Sequence, residues 1–228
     1  MEDRSFELLW GERPRGSRGP APGLSVDRIA EAAIALADAE GLGALSMRRI
    51  ADALDVAAMA LYRYVPGKAE LLDVMVDAVI GEGEVVAKGD WRGRLADFAR
   101  ADRALHKRHP WVQQATFERP PVGPNAVAAY ERLLGAVSGI GLTPAETVAA
   151  AQLVAGYARA ATAHEEEAAR TERFWSERSA FWEEHYEPER FPALTALYEA
   201  GAFDDPQDAF EFGLQRILDG IEQLLASR

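Results

Sequence analysis

The sequence predicts an all-α protein, and three observations lead to that fold class. Apolar residues recur at intervals of three and four along much of the 228 residues, which is the spacing of one face of a helix. Ser and Thr residues that can cap helices precede several of these periodic segments. No segment alternates apolar and polar residues in the manner of a half-buried strand. We therefore expect about nine or ten helices.

The first two predicted helices have clear signals. Ser25 can cap a helix that carries Ile29 on its apolar face, and Gly41 is expected to end it, because glycine readily adopts the left-handed backbone conformation. Ser46 can cap a second helix, which carries Leu54 on its inner face.

A tight turn at Asp55 leads into a third, short helix over about 57–64. Many helix-turn-helix units have glycine at this position of the turn. Because Asp tolerates a positive φ better than most residues, we expect the turn to form here as well. Pro66 stops the third helix, and a fourth helix runs from near Lys68 to about 81–83.

The remaining helices are predicted from their apolar period and their ends. Pro110 breaks one helical pattern, and Thr143 begins another with Pro144 at the first position and Glu146 at the third. Charged and aromatic residues dominate from 165 to 186. Helical segments are expected at 91–109, 111–117, 125–137, 143–164 and 206–227.

Composition excludes several classes of protein. The absence of Cys excludes disulfides, thiolate metal sites and a Cys nucleophile. No apolar run approaches the length that spans a bilayer, and residues 1–10 lack the pattern of a signal peptide, so a cytoplasmic protein is expected. No cofactor and no metal site are predicted.

The net charge of −12 is unevenly distributed. Residues 41–68 contain four basic and two acidic side chains, whereas residues 165–211 contain fourteen acidic side chains and four arginines. Binding responds to the local potential, which salt screens over about 8–10 Å. An acidic C-terminal region is therefore compatible with nucleic-acid binding at the basic segment.

Residues 1–24 are predicted to form a flexible arm, because residues 11–23 are rich in Gly, Pro and Arg. Two interpretations stay open: a solvated tail, or a basic arm that follows the DNA backbone or enters the minor groove. The helix-turn-helix domain is expected over 25–83, and a second all-α domain over 84–228.

The predicted third helix has the features of a recognition helix in the DNA major groove. Its alanines permit close approach, and an alanine methyl can contact a thymine methyl. Arg63 can donate two hydrogen bonds to guanine or contact phosphate, and tyrosine hydroxyls can contact phosphates. The residues predicted to bind DNA are Ser46, Arg48, Ala57, Ala58, Ala60, Tyr62, Arg63, Tyr64 and Lys68.

Two stretches carry a resemblance to a known family, ALSMRRIADALDV at 44–56 and LYRYVPGKAELL at 61–72. On these motifs, region 25–80 resembles the DNA-binding domain of the TetR family of bacterial transcriptional regulators. The resemblance implies a homodimer in which each copy binds half of a near-palindromic, double-stranded DNA operator. It also implies an all-α C-terminal domain that binds a small effector.

The resemblance further implies dimerisation through a four-helix bundle, to which this chain would contribute the helices near 144–164 and 206–227. The first of these helices contains many alanines, which suit close helix approach. The second carries a stripe of Phe and Leu residues, which suits a hydrophobic interface.

The C-terminal half is similar to the tetracycline-repressor type within this family, in which two histidines help to hold the drug and its magnesium ion. Glu84 and Ala115 occupy the corresponding positions, and Ala115 cannot bind a metal. A small apolar or amphipathic effector is therefore expected instead. The residues predicted to bind it are Asp97, Ala101, Trp111, Gln114, Phe117, Arg119, Tyr157 and His164.

Several alternatives follow from other features. His106 and His109 share a helical spacing, but no third ligand lies near them in the sequence, so a metal site is not favoured. Aromatic residues at 174, 175, 181 and 182 fit core packing, a dimer contact or a wall for a flat ligand.

We predict a repressor that its effector releases from DNA. An activator or a non-repressing interaction protein is the alternative, and an enzyme is not expected because no nucleophile motif occurs.

Overall fold

The computed structural model describes residues 4–11, 23–83, 89–204 and 207–228, apart from the side chain of Glu118. Within these ranges the chain is helical and contains no strand, which confirms the all-α fold class. It divides into two compact units, residues 1–151 and residues 152–228. The predicted boundary at 83/84 falls inside the first unit and stays a prediction about function.

The described residues form twelve α-helices, more than the nine or ten expected. They are α1 (Arg4–Trp10), α2 (Val26–Glu40), α3 (Met47–Ala53), α4 (Ala58–Leu61), α5 (Lys68–Gly81), α6 (Trp91–Arg108), α7 (Trp111–Glu118), α8 (Pro124–Val137), α9 (Pro144–Ser176), α10 (Ser179–His185), α11 (Pro192–Glu199) and α12 (Ala209–Ala226). No helix among them is long and apolar enough to cross a membrane.

Local capping determines where several helices begin. The Ser25 side chain accepts a hydrogen bond from the Arg28 N–H, and the Ser46 side chain accepts one from the Arg49 N–H. Gly41 ends α2 with φ of 79°. These three predicted signals are confirmed.

Three predicted helix boundaries need correction. Helix α4 covers only Ala58–Leu61 rather than 57–64. Helix α12 begins at Ala209 rather than near residue 206, because the Asp208 side chain accepts a hydrogen bond from the Glu211 N–H. Helix α9 continues to Ser176 rather than ending near 164, and no glycine or proline interrupts residues 157–176.

The predicted flexible arm also needs correction, because its first part is a helix. Leu9 of α1 is buried, and the Trp10 indole N–H donates to the Val122 carbonyl at 2.9 Å. The Ser5 hydroxyl donates to the Asp73 carboxylate of α5. The contacts that hold α1 in place are therefore made with residues that are distant in the sequence. Residues 12–22 of the predicted arm lie outside the described part of the chain.

The core of the first unit is built around α5. One face of α5, which includes Leu71, Met75 and Val79, is fully buried. Ile29 of α2 and Ile50 of α3 belong to the same apolar cluster. This packing connects the helix-turn-helix directly to the helix that leads away from it.

The second unit pairs the C-terminal part of α9 with α12. Val154, Ala158, Leu214 and Leu218 are fully buried. The Tyr157 hydroxyl lies 2.9 Å from the carbonyl oxygens of both Ala209 and Phe210. This contact joins the side of α9 to the first turn of α12.

Candidate DNA-binding and effector sites

The turn between α3 and α4 has the geometry that the sequence predicted. Asp55 has φ of 54°, and among the described residues it is the single non-glycine residue with a positive φ. The Val56 N–H donates to the Ala51 carbonyl at 3.0 Å, which closes the turn. The chain thus leaves α3 and enters α4 within four residues.

Helix α4 has one buried side and one exposed side. Leu61 and the following Val65 are fully buried and attach the helix to the core. On the outer side, Ala57 and Arg63 are exposed, and Tyr62 is 45% exposed. Ala58, Ala60 and Tyr64 are half-buried. The predicted DNA-binding residues of this segment are therefore adjacent to one another and largely open to solvent.

Met59 is a candidate contact that the sequence analysis missed. Its side chain is 74% exposed, although it is large and apolar. The helical period could have revealed it, because Met59 precedes the buried Leu61 by two positions and so points away from the core side. An exposed methionine at the centre of a recognition helix can contact a thymine methyl in the same way as the neighbouring alanines.

The basic residues around α4 have different surroundings. Arg48 at the start of α3 is exposed. Arg49 donates to both carboxylate oxygens of Glu40, at 2.9 and 2.5 Å, and so joins α3 to the end of α2. The Lys68 ammonium lies 3.4 Å from the Leu42 carbonyl. Ser46 caps α3. The DNA contacts predicted for Ser46 and for the other residues of this site stay predictions.

The ion pair between Glu40 and Arg49 changes the titration of both groups. The hydrogen bond from Arg49 lowers the pKa of Glu40, burial opposes this shift, and the charge of Arg49 adds to it. The same hydrogen bond raises the pKa of Arg49. Arg49 therefore forms an ion pair within the domain, whereas the side chain of Arg48 is exposed to solvent.

The residues predicted to bind the effector have different surroundings in the first unit. Trp111 is buried, and its indole N–H donates to Asp38 of α2 at 2.7 Å. Arg119 donates twice to Asp73 of α5, at 3.0 and 2.7 Å. Phe117 is 93% exposed in the single chain, and its effector contact stays a prediction. Gln114 is also exposed.

Two adjoining cavities beside α6 are better candidates for a ligand groove. One has a volume of about 70 Å³ and lies between α6, the end of α5 and α8. The other has a volume of about 270 Å³. They share Gly83, Ala101 and Leu105, so Ala101 is a predicted effector residue that does line a cavity. Asp97, one turn earlier on α6, forms an ion pair with Arg100.

The two remaining predicted effector residues belong to the second unit. Tyr157 is engaged by α12, as described above, and His164 is exposed on α9. Two positions correspond to the metal-binding histidines of the tetracycline-repressor type, and no metal is expected at them. Ala115 is buried, and Glu84 lies outside the described residues. In the part of the chain that is described, no three His, Asp or Glu residues group as metal ligands would.

Exposed apolar side chains occur on the helices predicted to form the dimer. Leu153 on α9 is 53% exposed, and Phe212 and Leu224 on α12 are also exposed. The aromatic residues farther along the chain stack on one another, with ring centroids of Trp175 and Trp182 separated by 5.4 Å. Both rings stay at least 40% exposed, so core packing within one chain does not explain them.

Comparisons with known proteins agree with the helix-turn-helix geometry. The family described as "Bacterial regulatory proteins, tetR family" matches residues 24–75, and "Tetracyclin repressor-like, C-terminal domain" matches residues 86–225. The chain is 44% identical to the HTH-type transcriptional repressor DrrR1 of Streptomyces coeruleorubidus, over 99% of this chain and 87% of that protein. It is 33% identical to an HTH-type transcriptional regulator of Saccharopolyspora erythraea, over 92% and 89% of the two chains.

Solved structures of bacterial regulators are similar to this chain as well. Apo ActR from Streptomyces coelicolor superposes with a TM-score of 0.75 at 29% identity, over 91% of this chain and 99% of ActR. ActR in complex with actinorhodin superposes with a TM-score of 0.73 at 29% identity, over 89% and 99%. With two family models that together span both halves of the sequence and a relative of 44% identity along nearly all of it, the chain belongs to the TetR family of bacterial regulatory proteins.

Proposed function

We propose that this protein is a cytoplasmic transcriptional repressor that binds a palindromic operator as a homodimer and is released by a small apolar or amphipathic molecule. The exposed side of α4 carries this proposal. Met59 is exposed there, and the flanking Ala57 and Arg63 are exposed as well, so small side chains and a charged hydrogen-bond donor occur on one short segment. Lys68 follows at the start of α5, where its charge suits a phosphate contact.

The relatives support repression and a small ligand. DrrR1 is a repressor by name, and ActR has been crystallised with actinorhodin and with (S)-DNPA. In this chain the groove beside α6 has the matching chemistry, because Leu105 and Ala101 provide apolar walls and Arg132 provides a charged donor. Each of the two cavities alone lies below the roughly 300–1,000 Å³ of ligand pockets, so we expect a drug-sized ligand to occupy both and to widen the groove.

Widening of the groove would act on DNA binding through α5. Ile80 and Gly83 at the end of α5 line the groove, and Lys68 begins the same helix next to the DNA-binding surface. Displacement of the end of α5 would therefore shift α4 in each copy of the dimer. Effector and operator would then weaken each other's binding by the same coupling free energy, typically about 1–3 kcal/mol.

The proposal is tested first with DNA. The purified protein is used to select duplexes from a random-sequence library, and the selected site is footprinted. We expect two inverted half-sites whose centres are about 34–36 Å apart or at a related spacing. A duplex with one half-site scrambled is the control and should bind more weakly. Selection of unrelated sequences with no inverted symmetry would contradict the proposal.

The second test concerns assembly and release. Analytical ultracentrifugation should give a dimer, and Phe212→Glu on α12 should shift it towards the monomer. Gln223→Glu, at an exposed position of the same helix, adds the same charge and is the control. A panel of flat aromatic and amphipathic compounds is then titrated into the complex with the selected operator. A stable monomer would contradict the proposed dimer, and a dimer that no compound releases would contradict the proposed effector class.

A further inference from the structure

His109 forms a bridge between three segments of the first unit. It lies at the corner between α6 and α7, and it is 4% exposed. Its Nδ1 atom lies 2.8 Å from a carboxylate oxygen of Asp38, which belongs to α2 of the helix-turn-helix domain. Its Nε2 atom lies 3.2 Å from a carboxylate oxygen of Glu82, which directly follows α5.

Both partners of the His109 ring are hydrogen-bond acceptors. Their presence restricts how many of the two ring nitrogens carry a proton. An ionised carboxylate only accepts hydrogen bonds, so an imidazole with protons on both nitrogens can donate to Asp38 and to Glu82 together. A neutral imidazole has one N–H and leaves one lone pair facing a carboxylate oxygen. With both carboxylates ionised, both contacts are hydrogen bonds only for the imidazolium form.

The surroundings of the ring hold the two carboxylates in place. The Trp111 indole donates to the same Asp38 oxygen at 2.7 Å, and Arg108 donates to the same Glu82 oxygen at 2.9 Å. The titratable and charged groups that face the ring are thus Asp38 of α2, Glu82 after α5 and Arg108 of α6. Each carboxylate therefore has a second donor that helps to hold it in position.

We propose that His109 is a positioning residue whose doubly protonated ring fastens α2 to the end of α5 and to the α6–α7 corner. The bridge fixes the orientation in which the helix-turn-helix is presented, so DNA binding is coupled to proton uptake at His109. This inference rests on the proposed DNA binding and adds a residue to its regulation. The bridge also borders the candidate ligand groove, because Glu82 and Arg108 line the larger cavity.

His106 provides a matched control for this role. It lies three residues before His109, in the last turn of α6, and is similarly buried, at 5% exposed. Its Nδ1 atom lies 2.9 Å from the Asp102 carbonyl oxygen of its own helix. A carboxylate oxygen of Asp102 lies 3.7 Å from the same atom. His106 thus has the same chemistry without a partner in α2.

The test measures operator affinity against pH. Histidine exchanges its proton between about pH 5 and 8, and the wild type should bind the selected duplex about fivefold more tightly at pH 6 than at pH 8, a size typical of site coupling. His109→Gln should show little of this dependence, whereas His106→Gln should keep the wild-type slope. A wild-type slope in His109→Gln would overturn the proposal.

A second set of measurements keeps the proposal testable if a variant does not fold. Asp38→Asn retains an acceptor oxygen for Trp111 and removes the charge, and its pH slope should be smaller than that of the wild type. Spectra of ¹⁵N-histidine protein at pH 6 should show protons on both ring nitrogens of His109, and a single protonated nitrogen would overturn the bridge. Because the spectra need no DNA, failure of the proposed function and failure of the bridge are distinguishable.

Discussion

Ser5 and Asp73 are joined by a hydrogen bond across 68 positions of sequence, with the Ser5 hydroxyl 2.5 Å from the carboxylate. Arg119 donates two further hydrogen bonds to the same carboxylate. Asp73 on α5 therefore holds both the N-terminal helix α1 and the end of α7. Since Ser5 is fully buried, its hydroxyl would have no solvent to replace this acceptor.

We expect Asp73→Ala to lower the free energy of unfolding by about 2–4 kcal/mol, because it leaves Ser5 and Arg119 without their shared acceptor. Urea titration measures the change. Asp52→Ala, at an exposed position of α3, is the control and should change stability by less than about 0.5 kcal/mol. Equal stability of the two variants would show that the Asp73 contacts contribute nothing.

For DNA binding, Arg63→Ala should cost about 1–3 kcal/mol of operator affinity if Arg63 donates to a base. Lys68→Ala should weaken binding to all duplexes similarly and reduce the salt dependence by about one charge. Fluorescence anisotropy at several salt concentrations distinguishes these outcomes, and circular dichroism confirms folding. Arg190→Ala, exposed in the second unit, is the control. Unchanged affinity in both test variants would place the DNA contact elsewhere.

At the turn, Asp55→Val should destabilise the protein by about 1–2 kcal/mol, because a β-branched residue is strained at φ of 54°. Asp55→Gly should be neutral or slightly stabilising, since glycine adopts this conformation freely. Asp52→Val, in the regular part of α3, separates the effect of backbone geometry from that of lost polarity. Thermal midpoints are the measurement, and similar losses for the two valine variants would contradict the strain argument.

The absence of a side chain at Gly213 allows the Tyr157 ring to lie close to the backbone of α12. A Cβ atom at Gly213 would lie 2.6 Å from Cζ of Tyr157, so Gly213→Ala should destabilise the second unit by about 1–3 kcal/mol. A Cβ at Gly220 of the same helix meets nothing within 4 Å, and Gly220→Ala should instead stabilise by about 0.5–1 kcal/mol. Thermal unfolding compares the two. Stabilisation by both alanines would mean that Tyr157 moves aside without cost.

The ion pair between Glu40 and Arg49 predicts a pH effect on stability. Because the folded state lowers the pKa of Glu40, the pair stabilises the fold above the ordinary Glu value and loses its effect as pH falls through the lowered value. The difference in unfolding midpoint between the wild type and Glu40→Gln should therefore be present at pH 6 and shrink towards pH 3. Glu31→Gln, exposed on the same helix, is the control. A difference that grows in acid would have the wrong sign.

Local signals explain what the sequence alone could predict. Ser25, Gly41, Ser46 and Asp55 act on neighbouring backbone atoms, and each marks a helix end or turn that the structure contains. The motif at 61–72 indicated the family for a similar reason, since its residues lie together on one short segment.

Contacts between distant residues explain what the sequence analysis missed. Helix α1 depends on Asp73 and Val122, which no local pattern connects to residues 4–10. The contacts of Trp111 and Arg119 were not predicted, because their partners lie in α2 and α5. His109 was weighed only as a metal ligand, since its acidic partners are 71 and 27 positions away.

The short length of α4 determines which substitutions a genetic screen should recover. A helix of four residues is far too short to persist in water by itself, so its shape depends on the burial of Leu61 and on the neighbouring Val65. Substitutions at these two interior positions would deform the nucleic-acid contact surface without touching it. A screen for loss of operator control should therefore recover interior alleles at Leu61 and Val65 alongside alleles at the solvent-facing Arg63.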